Sequence, residues 1–383
     1  MSYEWRMMKA NFIIWALMTM AFGAHAQLSK WQNGIVVNEF IFDTASFPES
    51  HAATIAETPA GLVAAWFGGT KERNPDVEIR VSRMVAGKWT APVSVADGVV
   101  NAKLRYPTWN PVLYQVPKGE LLLFYKIGPS PGTWKGWMKT SKDNGKTWSA
   151  AKALPDGFLG PIKNKPVMLS NGVLLSPTST ENDGWKVHFE ASNDSGKTWT
   201  MIGPINDGKT TAAIQPSILQ FKNGKLQILA RSKSRAIMES WSNDNGKTWS
   251  PLTPTSLPNN NSGTDAVTLK DGRQLLVYNH VLPPDSAKNG KGARTPLNLA
   301  YSFDGKTWYA SAILEDSPIG QYSYPSIIQG KDGMVHVVYT WRRKKIKYVK
   351  IDPSKLQGIK IVDGKWPTLK GYEAPKGGEV TSD

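Results

Sequence analysis

The sequence predicts an all-β protein, a six-bladed β-propeller with four antiparallel strands per blade. Three observations predict it. An eight-residue phrase, Ser141-Lys142-Asp143-Asn144-Gly145-Lys146-Thr147-Trp148, returns as Ser192–Trp199 and Ser242–Trp249 and, shortened, as Ser302–Trp308, with a period of about 50 residues. A looser unit, a strand with a Gly turn and then an apolar strand, occurs six times upstream of or between these phrases. The composition, 34 Gly, 26 Pro and 16 Trp in 383 residues, suits short strands joined by tight turns, and no long apolar helical stretch follows the first 25 residues.

The elements follow in order. Ile35–Ile41 reads as an isolated early strand. Six hairpins come next: His51–Glu57 with Leu62–Phe67, Trp109–Val116 with Glu120–Tyr125, Lys165–Leu169 with Val173–Ser176, Gln215–Phe221 with Lys225–Ala230, Asp265–Leu269 with Arg273–Tyr278, and Tyr324–Gln329 with Met334–Thr340. Each leads to a third strand, which runs into the repeated phrase. In the phrase, Asp-Asn-Gly or Asp-Ser-Gly makes a turn whose Gly takes positive φ, the Asp accepts hydrogen bonds from the turn backbone, and the Trp anchors it. In the first unit the phrase has decayed to Ser82–Trp89, and in the sixth it is missing. There Lys345–Ile351 is expected as third strand and Ile35–Phe40 as fourth, so that the chain's two ends share a blade and no free edge remains.

The N-terminus reads as an export signal. Arg6 and Lys9 form a basic start, Phe12–Phe22 a short apolar run, and Ala24-His25-Ala26 a cleavage site with a mature start at Gln27. Residues 1–26 are therefore expected to be a signal peptide, 27–353 a single propeller domain, and 354–383 a tail, packed on the propeller or disordered. The location expected is periplasmic or secreted, with no membrane anchor. With no cysteine, a disulfide framework, a thiolate metal site and a Cys nucleophile are excluded. No His-x-x-x-His, acidic cluster or phosphate loop argues for a metal or a nucleotide, so no cofactor is expected.

A net charge of +15 favours an anionic partner such as an acidic glycan. Nucleic acid is disfavoured, because no reader motif is present. The one dense basic run, Arg342-Arg343-Lys344-Lys345, reads as a solvated turn between two edge strands. The long loops Gly128–Gly136, Pro254–Gly263 and Pro283–Gly292 are expected to line a site.

In such a ring the starts of the innermost strands converge on the axis. Those positions hold His51, Asn110, Lys165, Gln215, Asp265 and Tyr322-Ser323-Tyr324, with Arg105, Arg231, Arg294, Asp76 and Glu78 on neighbouring strand ends and loops. Simpler roles stand beside these. Asp76 would hold a turn next to Pro75, Arg231 would pair with Asp265 or Glu239, and Trp66, Trp109, Trp137 and Trp341 would be core as readily as sugar platforms.

The phrase Ser-x-Asp-x-Gly-x-Thr-Trp is the Asp-box, or BNR repeat, and over about residues 45–350 the chain resembles the sialidase (neuraminidase) superfamily. That resemblance implies a substrate carboxylate held by three arginines, a tyrosine nucleophile assisted by a glutamate, and an aspartate acid/base. Arg231 matches the second arginine and Arg294 the third; Tyr322 or Tyr324 matches the tyrosine, and Asp76 the acid/base. Three places differ: His51 stands for the first arginine, Gln215 for the assisting glutamate, and Thr340 for the glutamate that pairs with the first arginine. An arginine and its glutamate lost together leave no unpaired buried charge, which points to a remodelled site.

The function expected is an exported, sialidase-like glycoside hydrolase acting on a terminal acidic sugar. Asp76, Tyr322 or Tyr324, and His51 would be catalytic. Arg231, Arg294, Gln215, Asp265, Asn110, Arg105 and Lys165 would bind substrate. Two alternatives stay open: β-elimination on a uronic-acid glycan with His51 or Tyr324 as base, and a glycan-binding propeller without catalysis.

Overall fold

The structure, a computed structural model, describes residues 28–318 and 320–373. The expected signal segment lies outside the described residues. Six antiparallel sheets form the blades of a propeller. Blade I is Glu49–Thr58, Gly61–Gly69, Glu78–Val85 and Val93–Ala96; blade II is Thr108–Gln115, Leu121–Ile127, Lys135–Ser141 and Lys152–Ala153. Blade III is Val167–Met168, Leu174–Thr180, Lys186–Ser192 and Thr200–Ile202; blade IV is Ala213–Gln220, Leu226–Ser232, Ala236–Ser242 and Thr253–Pro258. Blade V is Asp265–Thr268, Gln274–Tyr278, Leu297–Ser302 and Trp308–Glu315. Blade VI is Tyr322–Gln329, Val335–Trp341 and Lys345–Ile351, completed by Ile35–Phe40 in the register Ile35↔Ile351 to Phe40↔Lys347. The chain's two ends thus close the ring in the way the missing sixth phrase implied.

Apolar side chains fill the gaps between blades. Each of the six blade interfaces holds one cluster, such as Val63, Ala65, Leu113 and Leu123 between blades I and II, or Leu275, Val277, Val337 and Val349 between blades V and VI. A second strand is covered on both faces, so it reads as an unbroken apolar run, as in Leu121–Tyr125.

The Asp-boxes lie between third and fourth strands, on the lower face. In blade II, Asp143 Oδ1 accepts the amides of Lys146 (3.1 Å) and Thr147 (2.9 Å), Oδ2 accepts Thr147 Oγ1 (2.6 Å), and Ser141 Oγ accepts the Gly145 amide (2.8 Å). The same bonds recur around Asp194, Asp244 and Asp304. Gly246 shows why glycine is needed. Its φ is +78°, and a Cβ there would meet Leu175 of blade III at 2.7 Å. The turn of one blade therefore closes onto the second strand of the blade before it. In blade I the decayed phrase is a two-residue turn, with Ala86 and Gly87 both at positive φ between Val85 and Lys88.

Three expectations need correction or completion. Part of the expected loop Pro254–Gly263 is blade IV's outermost strand, Thr253–Pro258; prolines are tolerated there because an outermost strand needs no donors on its free side. The run Arg342–Lys345 joins the second and third strands of blade VI rather than two edge strands. Its Arg343 carbonyl accepts the Ser50 amide at 2.6 Å and its Arg343 side chain pairs with Glu72, tying blade VI to blade I. The described part of the tail is packed. Ile359–Lys360 adds a strand to blade V, and Trp366, Leu369 and Tyr372 pack with Trp31 and Trp308. No helix among the described residues is long and apolar enough to cross a membrane.

Candidate active site

The upper face carries the starts of the inner strands and the connections between second and third strands. Four inner strands share a local distortion there. Ala52, Asn110, Gln215 and Tyr324 all have positive φ (56°, 33°, 57° and 51°), and in each strand the pairing register slips at or next to that residue. These are β-bulges, which turn a side chain out of the strand's normal alternation. Strained backbone of this kind persists where surrounding structure holds it, and it concentrates at functional sites.

The bulge gives the two tyrosines different surroundings. Strict alternation would put Tyr322 and Tyr324 on the same side. Instead Tyr322 is buried in the apolar cluster between blades V and VI, its phenol pushed up by burial and then by Glu315. Tyr324, left-handed, turns to the axis. Its Oη accepts a hydrogen bond from Arg231 Nη1 at 2.7 Å and from Gln215 Nε2 at 3.3 Å. Arg231 Nη1 also reaches Gln215 Oε1 at 3.4 Å, and since guanidinium only donates, it fixes which end of the amide faces the phenol. A third bond, from Arg231 Nε to Asn261 Oδ1 at 2.8 Å, locks the guanidinium plane.

The His51 ring lies 4.2 Å from that of Tyr324, and its Nδ1 is 2.9 Å from Thr340 Oγ1, which also accepts the Ala52 amide at 3.1 Å. The two positions where the resemblance expects an arginine and a glutamate are thus hydrogen-bonded to each other. Burial lowers the His51 pKa well below 6.5, and the charges of Arg343, Arg294, Arg231 and Lys163 lower it further, so the imidazole is neutral at pH 7. The Arg294 guanidinium lies 5.9 Å from the Tyr324 ring, and Lys163 Nζ 5.8 Å from it.

Lys163 is a site residue that sequence reasoning passed over in favour of Lys165. Its Nζ donates to Asn164 Oδ1 (2.7 Å), Thr264 O (2.9 Å) and Pro325 O (2.6 Å), clamping blades III, V and VI at the axis. Burial lowers its pKa to about 7, with Asp265 opposing that shift. Half-buried Lys165 instead pairs with fully buried Asp265 at 3.0 Å, and Asp265 also accepts Ser217 Oγ (3.0 Å) and the Ile327 amide (2.9 Å). Asp265 is therefore a hub joining blades III, IV, V and VI.

The other expected residues have partners of their own. Asp76 sits on the connection between the second and third strands of blade I. Its two oxygens accept the Thr70 amide and Thr70 Oγ1, both at 2.8 Å, which is the turn-holding role. Arg105 pairs with Glu78 at 2.5 Å, and Glu78 with Arg80 at 2.9 Å. Asn110 is buried at its bulge in blade II. Arg231 makes its bonds to Tyr324, Gln215 and Asn261, while Glu239 bonds Gln227 and Trp241. Trp66 and Trp109 are buried, and Trp137 and Trp341 pack partly buried against blade-interface clusters.

Glu181 and Trp185 were also missed. They lie on the connection between the second and third strands of blade III, the same slot that Asp76 occupies in blade I, and that equivalence was the available signal. Arg231 (5.2 Å) and Lys233 (4.3 Å) both lie over the Trp185 ring.

A six-bladed propeller with Asp-boxes below and an arginine-held tyrosine above defines the sialidase-like class. The BNR repeat-like domain family matches residues 60–337, and the chain belongs to it. Solved structures agree on the fold. A protein of unknown function from Dyadobacter fermentans is 18% identical, with 83% of this chain and 99% of that one covered and a TM-score of 0.66. The intramolecular trans-sialidase from Ruminococcus gnavus, in complex with oseltamivir carboxylate, is 16% identical over 83% of this chain and 97% of its own, with a TM-score of 0.64. The leech intramolecular trans-sialidase complexed with 2,7-anhydro-Neu5Ac is 15% identical over 84% and 71%, with a TM-score of 0.66. No curated protein matches the sequence.

Proposed function

We propose that this protein is an exported glycosidase of the sialidase-like superfamily that acts on a terminal, carboxylate-bearing sugar. The observation that carries this reading is the convergence of Arg231, Arg294 and Lys163 on Tyr324, with Arg231 on the phenol oxygen itself. Guanidinium groups stay charged and grip a carboxylate with paired hydrogen bonds, so Arg231 and Arg294 hold the acid and orient the ring. Tyr324 then faces the anomeric carbon. Two donors aim its oxygen, which suits an oxygen that attacks an oxocarbenium-like centre. The export part of the reading rests on the basic start, apolar run and Ala24-His25-Ala26 site.

A second reading is favoured by two of these features. Gln215 donates to the phenol where a glutamate would accept its proton, and His51 is neutral, hence able to take a proton. Both suit β-elimination on a uronic-acid glycan, with the arginines neutralising the carboxylate.

The test is incubation of the protein with sialosides and with uronic-acid glycans. Free acidic sugar, seen by chromatography, supports hydrolysis; new ultraviolet absorbance from an unsaturated uronate supports elimination; binding without product supports a lectin-like module. Arg231→Ala is expected to abolish binding and turnover alike, and retention of both would sink the carboxylate-holding site.

A further inference from the structure

A cleft of about 290 Å³ opens on the upper face, between the 131–136 connection of blade II and the 180–182 connection of blade III. Thr133, Trp134, Phe158, Leu159, Glu181 and Asn182 are among the residues that line it. This mixture of aromatic faces and polar groups, at the small end of ligand-pocket size, suits a sugar unit. Two chains of contact connect the cleft to the Tyr324 centre. Trp134 packs on Trp109 (ring centroids 5.8 Å apart), Trp109 on Phe67 (6.3 Å), and Phe67 on His51 (5.5 Å). On the other wall, half-buried Glu181 accepts a hydrogen bond from the Trp185 side chain, and Trp185 packs on the Arg231 that holds Tyr324.

Glu181 therefore stands where the cleft meets the carboxylate-holding centre. The charged groups that face it are Arg231, Lys233 and Arg73. Burial raises its pKa above the ordinary 4.5, and these cations and the Trp185 hydrogen bond offset only part of that rise. Asp76, the residue that the sialidase resemblance offers for proton transfer, spends both oxygens on Thr70.

We propose that the cleft receives the leaving group of the substrate, a second sugar unit, and that Glu181 passes its proton to the departing oxygen. The proposal rests on the reading that an acidic sugar is held at Arg231. As the Tyr324 oxygen bonds to the anomeric carbon the glycosidic C–O bond breaks, and its electron pair stays on the leaving oxygen, which takes the proton from the Glu181 carboxyl and departs as an alcohol. Water then attacks the anomeric carbon and gives a proton to the Glu181 carboxylate as the bond to Tyr324 breaks and its electron pair returns to the phenol oxygen, so the sum is glycoside plus water giving two free sugars.

Glu181→Gln tests this with two substrates that share the acidic sugar and differ in the leaving group, sialyllactose and 4-methylumbelliferyl sialoside, or the matching glucuronides. A proton donor matters most for a poor leaving group. Turnover of the disaccharide is expected to fall about 100-fold or more and that of the aryl glycoside less than about 10-fold, with loss of the basic limb of the kcat/KM pH profile. Glu181→Ala with added azide is the second arm, because azide needs no base; recovered turnover of the aryl glycoside supports the proposal. Equal losses on both substrates with no azide rescue overturn it. Calorimetry with the free acidic monosaccharide separates this result from failure of the underlying reading. If wild-type and Glu181→Gln protein bind it alike, the anchor at Arg231 stands and only the role of Glu181 has fallen; if wild-type protein neither binds nor cleaves any acidic sugar, both fall.

Discussion

The lower and upper faces of this propeller are built from the same strands on opposite logics. Below, each Asp-box is a local object, in which one carboxylate accepts hydrogen bonds from residues within four positions of it, and the arrangement appears four times. Above, a backbone bulge recurs in four inner strands, but the side chains it presents and the partners they meet differ from blade to blade. His51 meets Thr340 across 289 residues, Lys163 meets Pro325 across 162, and Arg231 meets Tyr324 across 93. Local, repeated bonds supply a rigid ring at low sequence cost, and this frees the other ends of the strands to differ from blade to blade.

The sharpest way to break the comparison is at the residue that joins the blades. Asp265→Ala removes the partner of Lys165 and leaves the Ile327 amide and Ser217 hydroxyl without their acceptor. Breaking a buried pair in this way is expected to lower the unfolding free energy by about 3–5 kcal/mol, read by urea denaturation. A loss as small as that of a surface change would mean that the axis is not held together through Asp265.

Next in size is the contrast between the two tyrosines. Tyr324→Phe keeps the ring against His51 and deletes the oxygen held by Arg231, so turnover should fall by about 100-fold or more with the thermal midpoint unchanged. Tyr322→Phe should do the reverse. It loses hydroxyl bonds with Arg342 and Ser317, costing about 1 kcal/mol of stability, and turnover should hold.

A smaller effect is expected from Gln215→Glu, which replaces a donor on the phenol with an acceptor. Hydrolysis of an aryl sialoside should rise about tenfold, since the carboxylate can now take the Tyr324 proton. A fall would favour the elimination reading, in which the phenol oxygen needs its donors.

The smallest effect belongs to the lower face and is a pH dependence. Hydrogen bonds from the turn hold Asp194 and Asp244 at about 2, below the ordinary 3.8. A carboxylate with a lowered folded pKa contributes stability above pH 3.8, and this is lost as pH falls through 3.8 towards 2. The urea midpoint of wild-type protein should drop across that window more steeply than that of an Asp194→Asn, Asp244→Asn variant. Parallel curves would show that the boxes hold no protonation-linked stability.

The same contrast explains what could be read in the sequence. Blade number, ring closure and the lower-face turns were legible because each depends on neighbours in the chain: a Gly at positive φ, an Asp two residues after a Ser, an apolar run of strand length. The upper face was legible only to the level of which residues start inner strands. Alternation gave no way to separate Tyr322 from Tyr324, because the bulge at Tyr324 breaks it. Lys163 was hidden because the inner strand of blade III is only two residues long, which shifts the axial position two residues upstream of Lys165. Pairing of Arg231 with Gln215 rather than with Asp265 was set by contacts no local pattern encodes.

Ring closure also fixes the order in which the molecule can be finished. Among the described residues the first strand, Ile35–Phe40, pairs with Lys345–Ile351 alone, so it waits unpaired until the third strand of blade VI has been made. Loop closure over that distance is slow. Five blades can assemble before it, yet the interface between blades VI and I, with Trp66 packed beside Val338 and Tyr348, cannot. His51 and Thr340 lie across that same seam, so the last joint to form is the one that completes the site.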